Sequence, residues 1–143
     1  MLSDIEFITL KYLLTVKNIK FNDVHIKLVW YKHKRYGKGY EYNNNGALIG
    51  KWTYDVKKEH SVGPSMDLDG NGNITQVNEF DHNGNLLETK EYYNTGELHY
   101  RKIDSKEYWY YKNGLLIYDG EHSWDENGNL TAVKIKGKWC CML

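Results

Sequence analysis

The chain has few of the residues that break or staple a polypeptide: among 143 residues there is one proline, Pro64, and two cysteines, adjacent at Cys140 and Cys141. Neighbouring cysteines cannot build a disulfide framework and offer no metal-ligand spacing, which excludes a small stapled scaffold and fits a reducing, cytosol-like setting. No run approaches the roughly eighteen uncharged apolar residues of a membrane span. The opening, MLSDIEFITLKYLL, carries Asp4 and Glu6 where a secretory leader has positive charge. The expectation is a soluble, cytoplasmic protein with no transmembrane segment. Net charge is missing as well. Lys plus Arg and Asp plus Glu are 19 each, so any electrostatic partner must be sought in a local patch.

What is present favours strands and tight turns: thirteen Tyr, five Trp and thirteen Gly. The length suits one domain, 1–143. Six segments share one form: EYNNNGAL (41–48), DLDGNGNI (67–74), EFDHNGNL (79–86), EYYNTGEL (91–98), WYYKNGLL (109–116) and SWDENGNL (123–130). Each centres on a glycine, at positions 46, 72, 84, 96, 114 and 128. Four residues before it stand Tyr42, Leu68, Phe80, Tyr92, Tyr110 and Trp124; two after it stand Leu48, Ile74, Leu86, Leu98, Leu116 and Leu130.

If these two apolar residues face each other across a hairpin, the connection is a three-residue loop, a type I turn closed by a left-handed glycine. The turn's first position holds Asn43, Asp69, Asp81 and Asp125 in four of the six units, residues whose side chains accept from the turn's own backbone. The anchors are all even-numbered, as are Val24, Ile26, Leu28 and Trp30. That spacing predicts an interior face built from even-numbered residues throughout. Polar residues at Gln76, Asn78, Glu88 and Lys90 narrow this stripe, so a helix, a second copy of the chain or a partner is expected to cover it. Ser3 with Glu6 forms a capping box, and Ile5, Ile8, Tyr12, Leu13 and Val16 recur at helical spacing, which predicts a helix over 4–17. The fold expected is mainly all-β, an antiparallel meander of Asn-Gly hairpin repeats with an N-terminal cap that is helical or extended. Its parts are a cap at 1–20, a β-repeat sheet at 21–139 and a tail at 140–143.

The stretch RYGKGYEYNNNGALIGKW (35–52) resembles a MORN repeat, with Gly37 and Gly39 as a G-x-G pair, Gly46 at the turn and Gly50 with Trp52 as a G-x-W ending. Later units such as YYNTGELHY and YYKNGLLIY resemble the degenerate MORN variant of the YwqK family of toxin-antitoxin antitoxins. FDHNGNL and WDENGNL are also similar to YD repeats of Rhs shells. The resemblance implies a repeat sheet that binds another protein, as an antitoxin or immunity protein does, or a secreted effector with MORN-type repeats.

Three patches carry candidate chemistry. DLDGNGNIT (67–75) matches the start of an EF-hand loop, with Asp67, Asp69 and Asn71 as oxygen ligands, yet position twelve is Asn78 and Gly63-Pro64 replaces an entering helix. Since the same D-x-N-G-N form recurs at Asp81 and Asp125, the repeat explains the match and no metal or cofactor is expected. KLVWYKHKRYGK (27–38) interleaves Lys32, Lys34, Arg35 and Lys38 with Tyr36 and Trp30, the mixture that tracks phosphates and stacks bases; it reads more readily as a charged strand and loop around Trp30. An anionic ligand there, nucleic acid or phosphoinositide, is the alternative to a protein partner. On the outer face Trp109 is expected opposite Ile117, with Tyr111 and Tyr93 nearby, the composition of a protein-binding hot spot.

The terminal Cys140-Cys141-Met142-Leu143 fits a prenylation pattern, but four-residue motifs arise by chance, and a last strand ending at Trp139 is the preferred explanation of the lysines before it. Enzyme motifs are missing. His25, His33, His60, His82, His99 and His122 are scattered, with no nucleophile elbow, zinc helix or P-loop. A non-enzymatic protein-binding module is the reading that results, with homo-oligomerisation left open.

Overall fold

Alternating short strands and tight turns give the chain a single repeated task, which is to reverse direction and pair with the strand just made. The computed structural model describes residues 14–32 and 34–142. Thirteen strands form one antiparallel sheet in sequence order. The first six are β1 (Leu14–Phe21), β2 (Val24–Tyr31), β3 (Tyr36–Asn43), β4 (Leu48–Asp55), β5 (His60–Leu68) and β6 (Ile74–Phe80). They are followed by β7 (Leu86–Tyr92), β8 (Leu98–Ile103), β9 (Lys106–Tyr110), β10 (Leu116–Tyr118), β11 (His122–Trp124), β12 (Leu130–Ile135) and β13 (Lys138–Cys141). The all-β meander expected from the sequence is the fold. Of the helix expected over 4–17, residues 14–17 belong to β1 and the remainder lies outside the described residues. The sheet reaches beyond 21–139, taking in Leu14–Lys20 at one edge and Cys140 and Cys141 at the other.

All six glycine hairpins close alike. In the first, Asn43 N–H donates to the Ala47 carbonyl at 3.0 Å and Gly46 N–H to the Asn43 carbonyl at 2.9 Å, leaving Asn44, Asn45 and Gly46 as the loop. The turn glycines take φ between +79° and +97°, where a Cβ is strained. Asp69 shows why the first position prefers Asp: its Oδ1 accepts from the Asn71 and Asn73 N–H groups and its Oδ2 from Asn73 Nδ2. Asp81 and Asp125 repeat the arrangement.

The expected anchor pairs are register partners, from Tyr42 with Leu48 to Trp124 with Leu130. One residue further, each hairpin slips. Tyr42 faces Leu48, but Glu41 faces Gly50, so Ile49 is an extra, bulged residue; Thr75, Leu87, His99, Ile117 and Thr131 repeat it. This corrects the even-numbered interior. Register partners share a face and strand neighbours alternate. A one-residue bulge therefore reverses parity within each hairpin, and a face that takes even residues from one strand takes odd residues from the next.

One side, the tryptophan face, carries Trp30, Trp52, Trp109 and Trp139 with Tyr54, Tyr100 and Tyr118. The other, the tyrosine face, carries Tyr36, Tyr40, Tyr42, Tyr92, Tyr108 and Tyr110. Ring contacts agree with this register: Tyr100 and Trp109 centroids lie 4.6 Å apart, and those of Tyr118 and Trp139 5.7 Å. Phe80 and Leu86 fall on the tryptophan face, opposite the other five anchor pairs, because their hairpin turns at the other end of the meander.

The sheet is one layer thick. Among the described residues Val62 is the buried apolar side chain, at 7% exposure, and Asp55 the buried charged one; apart from Gly37, Gly39 and Gly50, whose backbone is covered, the other strand positions described are half-buried or exposed. Stability then comes from neighbour-on-neighbour contacts across strands and not from a central core. Gly39→Ala and Gly96→Ala separate two uses of glycine. At Gly96, with φ +97° and open space around a Cβ, the substitution costs about 1–2 kcal/mol of backbone strain and leaves tryptophan emission unchanged. At Gly39 a Cβ would overlap the Trp52 ring, so the substitution shifts tryptophan emission as well as the urea midpoint. Unchanged emission in Gly39→Ala would contradict this packing.

Candidate functional site

Gly37 and Gly39 turn bare backbone toward the tryptophan face, and the rings of the register partners occupy the space: Tyr54 lies over Gly37 and Trp52 over Gly39. Ile19, Ile26, Leu28 and Trp30 from β1 and β2 form the facing wall of a groove of about 550 Å³. Trp30 meets Tyr54 edge-on at 6.3 Å. Within this groove the Tyr54 hydroxyl and His60 Nε2 are buried with no hydrogen-bond partner, and burial pushes the Tyr54 hydroxyl pKa up.

A second aromatic run on the same face lies over β8 to β13. It contains Trp109, the residue expected at the centre of a contact patch, but its partner is Tyr118 and not Ile117, which is the bulged residue of its hairpin. Trp109 packs instead against Tyr100 and, at 5.2 Å, against His99, whose ring meets Tyr93 at 4.5 Å. Tyr93 and Tyr111 occupy the turn position that holds Asp elsewhere, and each reaches the next hairpin. The Tyr93 hydroxyl donates to the Tyr110 carbonyl at 2.8 Å and the Tyr111 hydroxyl to the Trp124 carbonyl at 3.2 Å. Both are half-buried ties between turns.

The basic segment divides between surfaces. Leu28 and Trp30 belong to the tryptophan face, Lys27, Tyr36 and Lys38 to the tyrosine face, and exposed Lys32 and Lys34 to the β2–β3 link. Beside the tyrosine-face residues the register places Tyr40 and Tyr42 from β3 and Lys51 from β4: Lys27 faces Tyr40, and Tyr40 faces Lys51. These fall outside 27–38, and strand pairing, which a linear segment does not display, is what assembles them. The calcium reading gains no geometry. Asp69 is committed to its own turn, Asp67 is a strand residue whose carboxyl burial raises, and no cluster of three His, Cys, Asp or Glu side chains with metal-holding spacing occurs among the described residues.

One buried ion pair escaped the sequence altogether. Asp55, at the end of β4, is fully buried; its Oδ2 accepts from Arg35 Nε at 2.6 Å and its Oδ1 from the Lys57 and Lys58 N–H groups at 3.0 and 3.1 Å. It closes the 56–59 turn while Val56 N–H donates to the Arg35 carbonyl. Burial by itself would raise the Asp55 carboxyl. The Arg35 guanidinium and the two backbone donors outweigh it and hold the carboxyl below its ordinary value. The contact of His122 with Asp119, at 3.1 Å, is likewise part of a turn, since Asp119 Oδ1 also accepts from the Glu121 and His122 N–H groups.

No family model matches the chain, and no curated protein does. Among solved structures it is similar to a mutant TarM of S. aureus in complex with Fondaparinux, alpha-GlcNAc-glycerol and UDP, at 12% identity and a TM-score of 0.44; the match covers 73% of this chain and 23% of that one.

The Asp55 pair gives a pH signature. A carboxyl lowered in the folded state contributes stability above its ordinary value and loses it as pH falls through the lowered one. Arg35→Met leaves burial opposed only by the two backbone donors, so Asp55 protonates at higher pH and the acid limb of Tm against pH moves upward. Superimposable acid limbs for the two proteins would refute the pairing.

Proposed function

We propose that the chain is a non-enzymatic protein-binding module that uses the tryptophan face of its one-layer sheet. What supports this most is a single arrangement: four of the five tryptophans stand on one side of the sheet, and no second layer covers that side among the described residues. Trp139, Ile19 and Leu86 are each more than a third exposed there. Large rings held by half-buried neighbours lose little conformational freedom on binding, which is why Trp and Tyr dominate interface hot spots. The groove around Trp52 and Tyr54 offers an apolar anchor site for a partner side chain.

The hairpin resemblance to MORN-type and YwqK-like repeats narrows the class to a neutralising or scaffolding protein, an antitoxin or immunity partner working in the cytoplasm. Catalysis has little support in the geometry. Asp69, Asp81 and Asp125 are committed to their own turns and Asp55 and Glu88 to ion pairs, and Cys140 and Cys141 are exposed on an edge strand. Among the described residues no helix is long and apolar enough to cross a membrane.

Capture from a nuclease-treated host lysate, followed by titration calorimetry with the purified partner, tests the reading. A protein partner survives the nuclease, and Trp52→Ala and Trp109→Ala each weaken its binding roughly tenfold or more. A partner lost to nuclease, or wild-type affinity in both variants, would sink the proposal.

A further inference from the structure

The opposite surface has a different chemistry. Over β2 to β4 the tyrosine face presents Tyr36, Tyr40 and Tyr42 at alternate or near-alternate positions of a single strand, with Lys27, Lys38 and Lys51 around them. Tyr40 is half-buried with its register partners Lys27 and Lys51 on either side; Lys38 stands between Tyr36 and Tyr40 along the strand, its ammonium 2.7 Å from Thr53 Oγ1. The three lysines are exposed, and none takes part in an ion pair among the described residues.

Acidic groups are absent from this surface in a specific way. The carboxylates carried by β1 to β4 are Glu41, which the register turns to the tryptophan face, and Asp55, which is buried and paired with Arg35. A chain of zero formal net charge thus holds an uncompensated cationic field on one face of its first strands. At the rise of a strand Tyr36 stands about 13 Å from Tyr40 and Tyr40 about 7 Å from Tyr42, and the row from Tyr36 to Tyr42 is about 20 Å long.

We propose that this face binds single-stranded nucleic acid, with the Tyr36, Tyr40 and Tyr42 rings stacking bases and Lys27, Lys38 and Lys51 following the phosphates. Rings set along a flat strand with cations to both sides meet the two needs of a single strand, a stacking platform and a charged track. A duplex keeps its bases stacked on one another and presents phosphates alone. A lipid surface calls for a cluster of protruding apolar side chains beside the cations; here Tyr40 stands between Lys27 and Lys51, and the aliphatic residue next to Lys38, Val29, is half-buried. The site lies opposite the protein-binding face, so each proposal stands or falls without the other.

Fluorescence anisotropy with the full chain and labelled oligothymidylate or oligouridylate tests it. Binding weakens between about 50 and 200 mM salt, with a log–log slope near −2 for three phosphate contacts. Tyr40→Ala loses roughly tenfold in affinity while Tyr40→Phe, which keeps the ring, retains it. Lys27→Ala with Lys51→Ala brings the slope below about −1 in magnitude, and Lys134→Ala, which removes an exposed lysine from the other face, leaves binding unchanged. Circular dichroism confirms that each variant keeps its sheet. Equal affinity for a duplex of the same sequence would overturn the proposal, as would equal losses in Tyr40→Phe and Tyr40→Ala. So would binding to phosphoinositide vesicles with none to either oligonucleotide.

Discussion

The structure depends on a left-handed glycine that must be followed, three residues on, by a bulge. In each of the six hairpins the glycine lets the chain reverse in three residues, at a φ that costs a side-chain-bearing residue about 1–2 kcal/mol. A type I turn does not by itself match the twist of the strands it joins, and the bulged residue, Ile49 in the first hairpin and Thr131 in the last, adds the local right-handed twist with which the ladder resumes. Because the extra residue is always one, each hairpin flips the parity of the chain. Six local events of the same kind thereby decide which side chains belong to which face of a sheet thirteen strands wide.

A sheet with so little buried apolar surface holds together by nearest neighbours. On the tryptophan face Tyr100 stacks on Trp109, and Thr89 Oγ1 donates to Asn78, which also accepts from Gln76 Nε2. On the tyrosine face Glu88 accepts from Lys90 and from Arg101, a polar rung where a thicker protein would place leucines. Tyr93 and Tyr111 tie consecutive turns through the backbone. Such a ladder adds stability strand by strand, as repeat arrays do, and it leaves both surfaces open to other molecules.

The turns were readable because steric demand writes them directly into residue type: glycine at the left-handed position, Asp or Asn where an oxygen must accept from the loop. Parity was not readable, since a bulged Ile49 or Ile117 looks like any other strand residue until its partner is known. That is why Trp109 was matched to Ile117, one residue short of Tyr118. The apolar spacing around each glycine is true of the hairpin tip and silent about the strand beyond it. Asp55 and Arg35 went unnoticed for a related reason. Twenty residues apart, they meet through the end of a strand pair, and Asp55 lies outside the motifs in which Arg35 stands.

Gly37 and Gly39 show how a short stretch serves two surfaces at once. Read linearly, YGKGYEY is a mixture of small, basic and aromatic residues. Resolved by the pleat, it is two interleaved half-patterns: Tyr36, Lys38, Tyr40 and Tyr42 on one face, and Gly37, Gly39 and Glu41 on the other. The glycines are needed because Tyr54 and Trp52 lie over them, and the tyrosines are unrelated to that requirement. A substitution at an odd position of β3 therefore acts on the aromatic groove, and one at an even position acts on the cationic row. The neutral composition of the chain conceals this division, because charge is sorted by the parity of the strand that carries it and composition averages over parity.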